Sequence, residues 1–549
     1  MSYLPETQYL MSAHSISSNA WMLIMTGGQQ LSELDLRDLS KKVPKDATDG
    51  ADFIAEHAPN ALSFNAESKT WYVWNGTVHT PLQTAVVPMQ LIDILGYAYK
   101  ELGLFIDEQL TTQVQIIEAG NLSEDDAKKA ISELKVSIVA ARKHWEAFAY
   151  SLNSNKGVND VLSKLERRVA KGPGYFENDR QWLVVRNGVI DLQEFRRTDS
   201  VTLHAHDASR PVTRFFDADY DPSADAAIWK AFLSSSIVDD CGDTVRLLQK
   251  AVGAAFSAEE KPRALFNLQG APASGKSVFL SVFNRLGQAY SVMPNNQAIQ
   301  LNNGDTNFYQ DALRNKRFVG FSEVQGKKPL DDGFLKGILG GDEQNTRQMR
   351  QMESPWKPQC VLFIASNMAL KFDTRDEATF IKILPISFPH SFTETDPEHQ
   401  MDRELENKVL EERSGILNWI LEGMLSFWDE GLAPTAAVMA AMDGNKTANS
   451  HALQFMEALI ESGNVIQDPG APLSGCLGLT AAYEMFRHWS ESQGIRNVPG
   501  KQTFSSDVAD YYYGKGRSDG VRFIGLSLSP ELSNKVQTGV SHFALAKDL

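Results

Sequence analysis

The sequence predicts an α/β fold built around a phosphate-binding loop, with a mixed α+β region before it and a small helix-rich domain after it. Three observations carry that expectation. From residue 263 onward, short apolar runs of strand type alternate with stretches of helical spacing, the pattern of a parallel sheet covered on both faces. A complete G-x-x-x-x-G-K-S motif, Gly270 to Ser277, lies between the first such run and the first such helix. Two later apolar runs end in Glu323 and Asn367, at the strand ends where open α/β sheets place their ligands.

Taken in chain order, residues 1–64 are mixed, with a turn-rich patch at 45–50. Residues 69–79 are aromatic and contain Asn75-Gly76, which predicts a hairpin. Residues 87–103 have helical apolar spacing. Residues 123–170 read as two or more amphipathic helices, opened by the capping sequence Ser123-Glu124-Asp125-Asp126. Gly172-Pro173-Gly174 breaks that pattern, and residues 182–192 predict two short strands around Asn187-Gly188. Residues 212–222 lead into the next unit, where 229–255 are again helical. Strands are expected at 264–268, 318–321 and 361–365, with helices at 277–286 and 330–339 between them. Around Leu432-Ala433-Pro434 the pattern loosens, and 443–450 read as a linker. Helical spacing returns at 452–461 and 480–492, followed by a third short helix and strands near 523–528. These shifts divide the chain into an N-terminal segment (1–64), a mixed, helix-rich domain (65–225), the loop-bearing domain (226–435) and a C-terminal domain (450–549).

Composition narrows the functional classes. With 42% hydrophobic and 22% charged residues among 549, the chain has material for several cores, which excludes a mainly disordered or coiled-coil protein. No stretch approaches the ~18 uninterrupted apolar residues of a membrane span, and the first residues lack a leader pattern. The three cysteines (Cys241, Cys360, Cys476) have no metal-ligand spacing, as expected of reduced thiols in a cytoplasmic chain. A formal charge of -16 argues by itself against a nucleic-acid partner. The average conceals a distribution: residues 471–549 carry eight basic and seven acidic side chains, and residues 314–357 carry nine and six. A ring or channel can present a few cations inward beneath an acidic exterior.

In the motif, Gly270, Ala271, Pro272, Ala273, Ser274 and Gly275 form the loop whose backbone N–H groups curl around a triphosphate. The motif leads one to expect Lys276 to neutralise the β- and γ-phosphates and Ser277 to ligate Mg²⁺. Hydrolysis also needs a carboxylate on a neighbouring strand, and Glu323 supplies one that orders water or metal. Asn367 is placed to hydrogen-bond the γ-phosphate or the attacking water.

With those residues in position, the chain resembles a superfamily 3 helicase of the phage and plasmid primase-helicase type, related to the poxvirus primase-helicases. The likeness runs over roughly 68–528, through Asn187-Gly188-Val-Ile-Asp191-Leu, Tyr220-Asp221-Pro222 with Trp229 and Phe232-Leu233, and the motif strands. It implies an AAA+-related ATPase core and a winged-helix-like C-terminal domain. It also implies a hexameric or similar ring moving on single-stranded or forked DNA, with ATP and Mg²⁺ as cofactors. Under it Lys276 and Ser277 match the phosphate loop, Glu323 the acid and Asn367 the sensor. The segment with Lys336, Arg347 and Arg350 matches the one facing the channel and its DNA.

The family places an arginine after the sensor to reach the neighbouring subunit's γ-phosphate. Here that place holds Lys382, which keeps the charge without the planar fork; Arg375 is the other candidate. The likeness also implies that Lys515 and Arg517, near Tyr511-Tyr512-Tyr513 and Arg522, face DNA. The first 220 residues show neither a zinc-ligand cluster nor a polymerase acid motif, so priming is expected from a separate protein.

The expectation is therefore an ATP-dependent DNA helicase or translocase of phage or mobile-element replication. A catalytically weak, nucleotide-dependent DNA-binding or loading module is one alternative, motivated by Lys382. A small-molecule P-loop kinase is another.

Overall fold

The fold is a mixed α/β arrangement with several separate sheets, seen in a computed structural model that describes residues 43–57, 60–82, 86–172, 174–177, 179–237, 242–257, 261–301, 307–324, 329–346, 354–370, 382–397, 399–495 and 498–530. The chain divides into two units, residues 1–220 and 221–549.

In the first unit, helix α1 (Ala47–His57) precedes strands β1 (Leu62–Asn65), β2 (Thr70–Trp74) and β3 (His79–Leu82). The expected hairpin is present: β2 and β3 pair antiparallel, and the Asn75 carboxamide accepts from the Thr77 and Val78 N–H groups to shape the turn. Helices α2 (Val86–Ala119) and α3 (Glu124–Ser151) follow. The helix read at 87–103 thus continues to residue 119. Ser123 caps α3 through the Asp126 N–H, as its sequence requires. The Arg142 guanidinium of α3 forks onto the Asp107 carboxylate of α2. Helix α4 (Asn155–Arg168) and strand β4 (Ala170–Lys171) complete this part, β4 joining β1 in parallel. Leu95, Leu134, Ile138, Trp145, Phe148 and Leu165 fill its core.

Strands β5 (Trp182–Val185) and β6 (Gly188–Asp191) form the second expected hairpin, with helix α5 (Leu192–Thr198) and strand β7 (Leu203–His204) after them. The Asn187-Gly188 signal resolves differently from its usual use. Gly188 pairs with Val185 inside the strand, leaving Arg186 and Asn187 as the turn. A Cβ on Gly188 would lie 2.6 Å from the His204 carbonyl oxygen, so glycine is needed for the close approach of β7. The buried Arg214 guanidinium reaches the equally buried Asp179 carboxylate, with one contact at 2.9 Å.

The second unit opens with helices α6 (Ala227–Ser236) and α7 (Asp243–Ser257). Strand β8 (Leu265–Gly270), helix α8 (Lys276–Gly287), strand β9 (Ser291–Val292), the short helix α9 (Asn307–Gln310) and strand β10 (Phe318–Phe321) follow. Next come helix α10 (Asp332–Gly340), the hairpin β11 (Gln344–Thr346) and β12 (Ser354–Trp356), and strands β13 (Val361–Ser366) and β14 (Ile383–Phe388). Five strands form one parallel sheet in the order β14-β8-β13-β10-β9. Alternation along its strands sorts two aromatic and aliphatic faces. Phe318 and Phe363 stack on one face with Phe279 and Phe283 of α8, and Trp229 of α6 closes over them. Val319, Phe321, Leu362 and Ile364 point the other way, against Phe334, Leu335, Ile338 and Leu339 of α10. Each such fully buried side chain contributes roughly 1.5–3 kcal/mol.

Helices α11 (Leu405–Glu411) and α12 (Arg413–Glu430) return over the sheet. A Cβ on Gly253 of α7 would lie 2.3 Å from the Gly423 backbone, so these two glycines set how closely α7 and α12 cross. Helix α13 (Ala436–Asn449), capped by Thr435, packs along β14. Residues 443–450, read as a linker, lie almost entirely within this helix, because packing overrides the turn propensity of Asp443-Gly444-Asn445.

The last part contains α14 (His451–Glu461), β15 (Val465–Gln467), β16 (Cys476–Gly478), α15 (Leu479–Ser492), α16 (Lys501–Tyr511), β17 (Lys515–Arg517) and β18 (Val521–Leu528). Its antiparallel sheet runs β15-β18-β16, with β17 also paired to β18. Phe455, Phe486, Trp489, Phe504 and Phe523 form its core. Among the described residues, no helix is long and apolar enough to cross a membrane.

Candidate functional site

The loop 270–275 leaves β8 at the carboxyl end of the sheet, between β13 and β14, and enters α8 at Lys276. Two glycines are fixed there by sterics. A Cβ on Gly270 would sit 2.0 Å from the Phe388 carbonyl oxygen of β14. Gly275, with φ +94, occupies the left-handed region, and its Cβ would meet the Phe232 ring at 2.7 Å. Gly270→Ala is therefore expected to force β8 and β14 apart and lower stability by about 1–3 kcal/mol, measurable as a fall in thermal midpoint. The loop is also braced from behind: Phe392 N–H donates to the Ala273 carbonyl at 2.9 Å, and Ser391 Oγ to that of Pro272 at 2.9 Å.

Lys276 is almost fully buried. Its ammonium donates to the Gly270 carbonyl (2.8 Å), the Ala271 carbonyl (2.6 Å) and Ser274 Oγ (2.8 Å), which engages all three N–H bonds. Its charge is thus held at the loop mouth by neutral oxygens, and burial pushes its pKa below that of an ordinary lysine. An anion binding there favours the charged form. Affinity for a polyphosphate is therefore constant below the depressed pKa and falls as pH rises through it. A nucleotide-binding titration across about pH 7 to 10 is expected to show this loss beginning below the range of an exposed lysine.

Asn367 follows β13 directly, Glu323 lies one residue beyond the end of β10 after Ser322, and both are exposed. Glu323 adopts φ +53, a left-handed conformation disfavoured for a side chain with a Cβ. Flanking hydrogen bonds fix it, from Val324 N–H to the Ala365 carbonyl (3.0 Å) and from Asn296 Nδ2 to the Ser322 carbonyl (3.0 Å). Ser366 Oγ, buried beside Asn367, donates to Asn267 Oδ1 on β8 at 2.8 Å and ties the two strand ends together.

Pro272 to Ser277, Glu323 and Asn367 line one cavity of about 1460 Å³. Its other wall was not visible in the sequence. Ile228, Ala231, Phe232 and Ser235 of α6, Phe392, and residues 400–403 with Leu405 complete it. On the side of β13 and β10, Glu323 and Asn367 are joined in the lining by the apolar Val324, Ala365 and Met368. Ser277 is exposed beside the loop and Glu323 opens onto the same space. A hydroxyl and a carboxylate are hard oxygen donors of the kind Mg²⁺ takes, one or two at a time, alongside phosphate oxygens. The donor set fits the ion. Among the described residues, no three His, Cys, Asp or Glu side chains are grouped to hold a metal without such phosphates.

Among the described residues, Lys336, Lys382, Lys515 and Arg517 do not line this cavity. Lys382 precedes β14, where its carbonyl accepts from Leu265 N–H at the start of β8 (2.8 Å). It therefore sits at the opposite end of the sheet from Gly270, about 20 Å away along the strand. Lys336 lies on α10 and is half-buried. Arg347 and Arg350 belong to the connection between β11 and β12, and Arg375 precedes β14; all three fall outside the described residues. Thr346 at the base of that connection donates to Asp311 (2.7 Å), which also accepts from Arg314 (3.0 Å). Lys515 and Arg517 are exposed on β17. Arg522, grouped with them by sequence, instead donates to the Ser518 and Cys476 carbonyls and secures the hairpin.

Residues 51–237 match the family described as D5 N terminal like, and residues 268–379 match a family of unknown function (DUF5906). No curated protein matches the chain. Two solved structures similar to it are the A form apo structure of the NrS-1 C terminal region (12% identity, TM-score 0.32, covering 58% of this chain and 78% of that one) and the apo structure of the same region (13% identity, TM-score 0.32, covering 62% and 92%). Over residues 51–237 the chain is thus similar to the D5-like N-terminal region of phage and plasmid primase-helicase proteins.

Proposed function

We propose that this chain is an ATP-dependent DNA helicase or translocase of phage or mobile-element replication, working as a ring on single-stranded or forked DNA. One observation carries the reading: Lys276, Ser277, Glu323 and Asn367, separated by up to about ninety residues, converge on one cavity at the carboxyl end of a parallel sheet. In this account the segment from α6 to α12 is a P-loop ATPase core related to the AAA+ class. The β- and γ-phosphates displace the Lys276 ammonium from its three loop oxygens. The loop N–H groups and the N-terminus of α8 add favourable potential. Ser277 and Glu323 would hold Mg²⁺, which would supply neutralisation of phosphate charge when bound. The Glu323 carboxylate accepts the proton of the attacking water, and the Asn367 amide orients the γ-phosphate or that water.

The C-terminal part, with α15, α16 and the β17–β18 hairpin, is read as a winged-helix-like DNA-binding domain whose exposed Lys515 and Arg517 meet phosphates. Lys336, Arg347 and Arg350 are assigned to DNA in the channel. Arg375 or Lys382 is assigned to the neighbouring subunit's nucleotide; a cation at the far end of the sheet, as Lys382 is, must act between subunits. A separate protein supplies priming.

A forked duplex with one labelled strand tests the proposal. The full chain with ATP and Mg²⁺ is expected to displace that strand, and to run as a multimer in mass photometry once nucleotide and DNA are present. Hydrolysis without displacement, from a chain that stays monomeric, would favour the loading-module alternative.

A further inference from the structure

We propose that Asn445 is a positioning residue that couples the nucleotide loop to the C-terminal domain, an inference that rests on the nucleotide-site reading above. Asn445 Nδ2 donates to Gln269 Oε1 at 3.2 Å, and Gln269 immediately precedes Gly270, the first residue of the loop. Two residues later on the same helix, Thr447 Oγ1 donates to the Tyr511 hydroxyl at 3.3 Å. At the junction of α13 and α14, Ser450 Oγ donates to Asp507 Oδ2 at 2.9 Å. Tyr511 and Asp507 both belong to α16.

Positions two apart on an α-helix point about 200° from one another. Helix α13 therefore holds the loop strand with one side and α16 with the other, through side-chain bonds at both. Thr447 and Ser450 are buried, so solvent does not offer easy substitutes for those bonds. The same helix packs along β14, whose Phe388 carbonyl limits the room at Gly270. A displacement of Gly270 on phosphate binding thus meets α13 twice, through Gln269 and through β14. In the other direction, any ligand that shifts α16 tilts the helix that holds Gln269. The segment responsible, 443–450, is the one whose Asp-Gly-Asn composition least favours helix for its own sake.

The test uses the full chain, a fluorescent ATP analogue to report binding, and hydrogen exchange to report on residues 501–511. In the wild type, analogue binding is expected to change exchange protection across 501–511. In Asn445→Ala, affinity is expected to stay within about tenfold, the range of one lost hydrogen bond, while the change at 501–511 disappears. Stimulation of ATP turnover by single-stranded DNA is expected to fall at least about fivefold in the same variant, the lower end of typical site coupling. Thr447→Val removes the bond on the opposite side of α13 and is expected to give the same loss, which keeps the test open if Asn445→Ala does not fold. Transmission of equal amplitude in both variants overturns the coupling. So does a wild type that binds the analogue with no change at 501–511. A wild type that binds no nucleotide is a distinct result: it overturns the reading of the loop, and the coupling falls with it.

Discussion

Lys276→Ala is expected to lower ATP turnover by about a hundredfold or more, the scale on which one removed transition-state charge stabiliser acts. The side chain is at the loop mouth, and its three N–H bonds end on Gly270, Ala271 and Ser274. Among the described residues that line the cavity, Lys276 is the one lysine, none is a histidine, and the one arginine, Arg403, is held by Glu394 in an exposed ion pair. Phosphate charge is therefore left without its main partner. The fold is expected to survive. Burial works against the Lys276 charge, so alanine removes an electrostatic cost along with the three bonds. A thermal melt close to wild type, together with lost turnover, separates a chemical defect from unfolding.

Glu323→Gln is expected to lower kcat by about 10² to 10⁴, the usual contribution of a positioned general base, with little change in nucleotide affinity. Glutamine has the same length and keeps an acceptor oxygen, so only the basic carboxylate is lost. The left-handed backbone at 323 is fixed by bonds of Val324 and Asn296, not by the Glu323 side chain, and remains in place. A single-turnover experiment reads this as nucleotide that binds and persists unhydrolysed. Equal kcat in Glu323→Gln would remove Glu323 from the chemistry.

The parts of the site legible in the sequence are those where backbone geometry restricts residue choice. Gly270 and Gly275 stand where a Cβ would meet Phe388 and Phe232, and such restriction leaves a readable motif. Glu323 and Asn367 were legible because buried strands end abruptly in polar residues. The part of the lining supplied by α6 and residues 400–403 was not. Phe232 and Ile228 have the spacing of any core-facing helix, and nothing local distinguishes a side chain facing a cavity from one facing a core. Residues 400–403 lie in irregular chain, where periodicity carries no signal.

The linker expected at 443–450 shows the opposite error. Its residues favour turns, but contact with β14 and the bonds of Asn445, Thr447 and Ser450 keep that stretch helical. Gly188 gave the correct hairpin with the turn one residue early, because close strand approach and turn formation both select glycine. Local caps such as Ser123 were legible, but long-range side-chain partnership was not: Arg522 belongs to a basic-aromatic cluster in sequence, yet donates from Nε and Nη1 to backbone carbonyls.

The measurement that bears most directly on the central claim is ATP turnover by the purified full chain with Mg²⁺, with and without single-stranded DNA, beside Lys276→Ala. The account predicts hydrolysis in the wild type, faster with DNA, and its near-complete loss in Lys276→Ala. Turnover that stays negligible under both conditions, or that persists unchanged in Lys276→Ala, would contradict it.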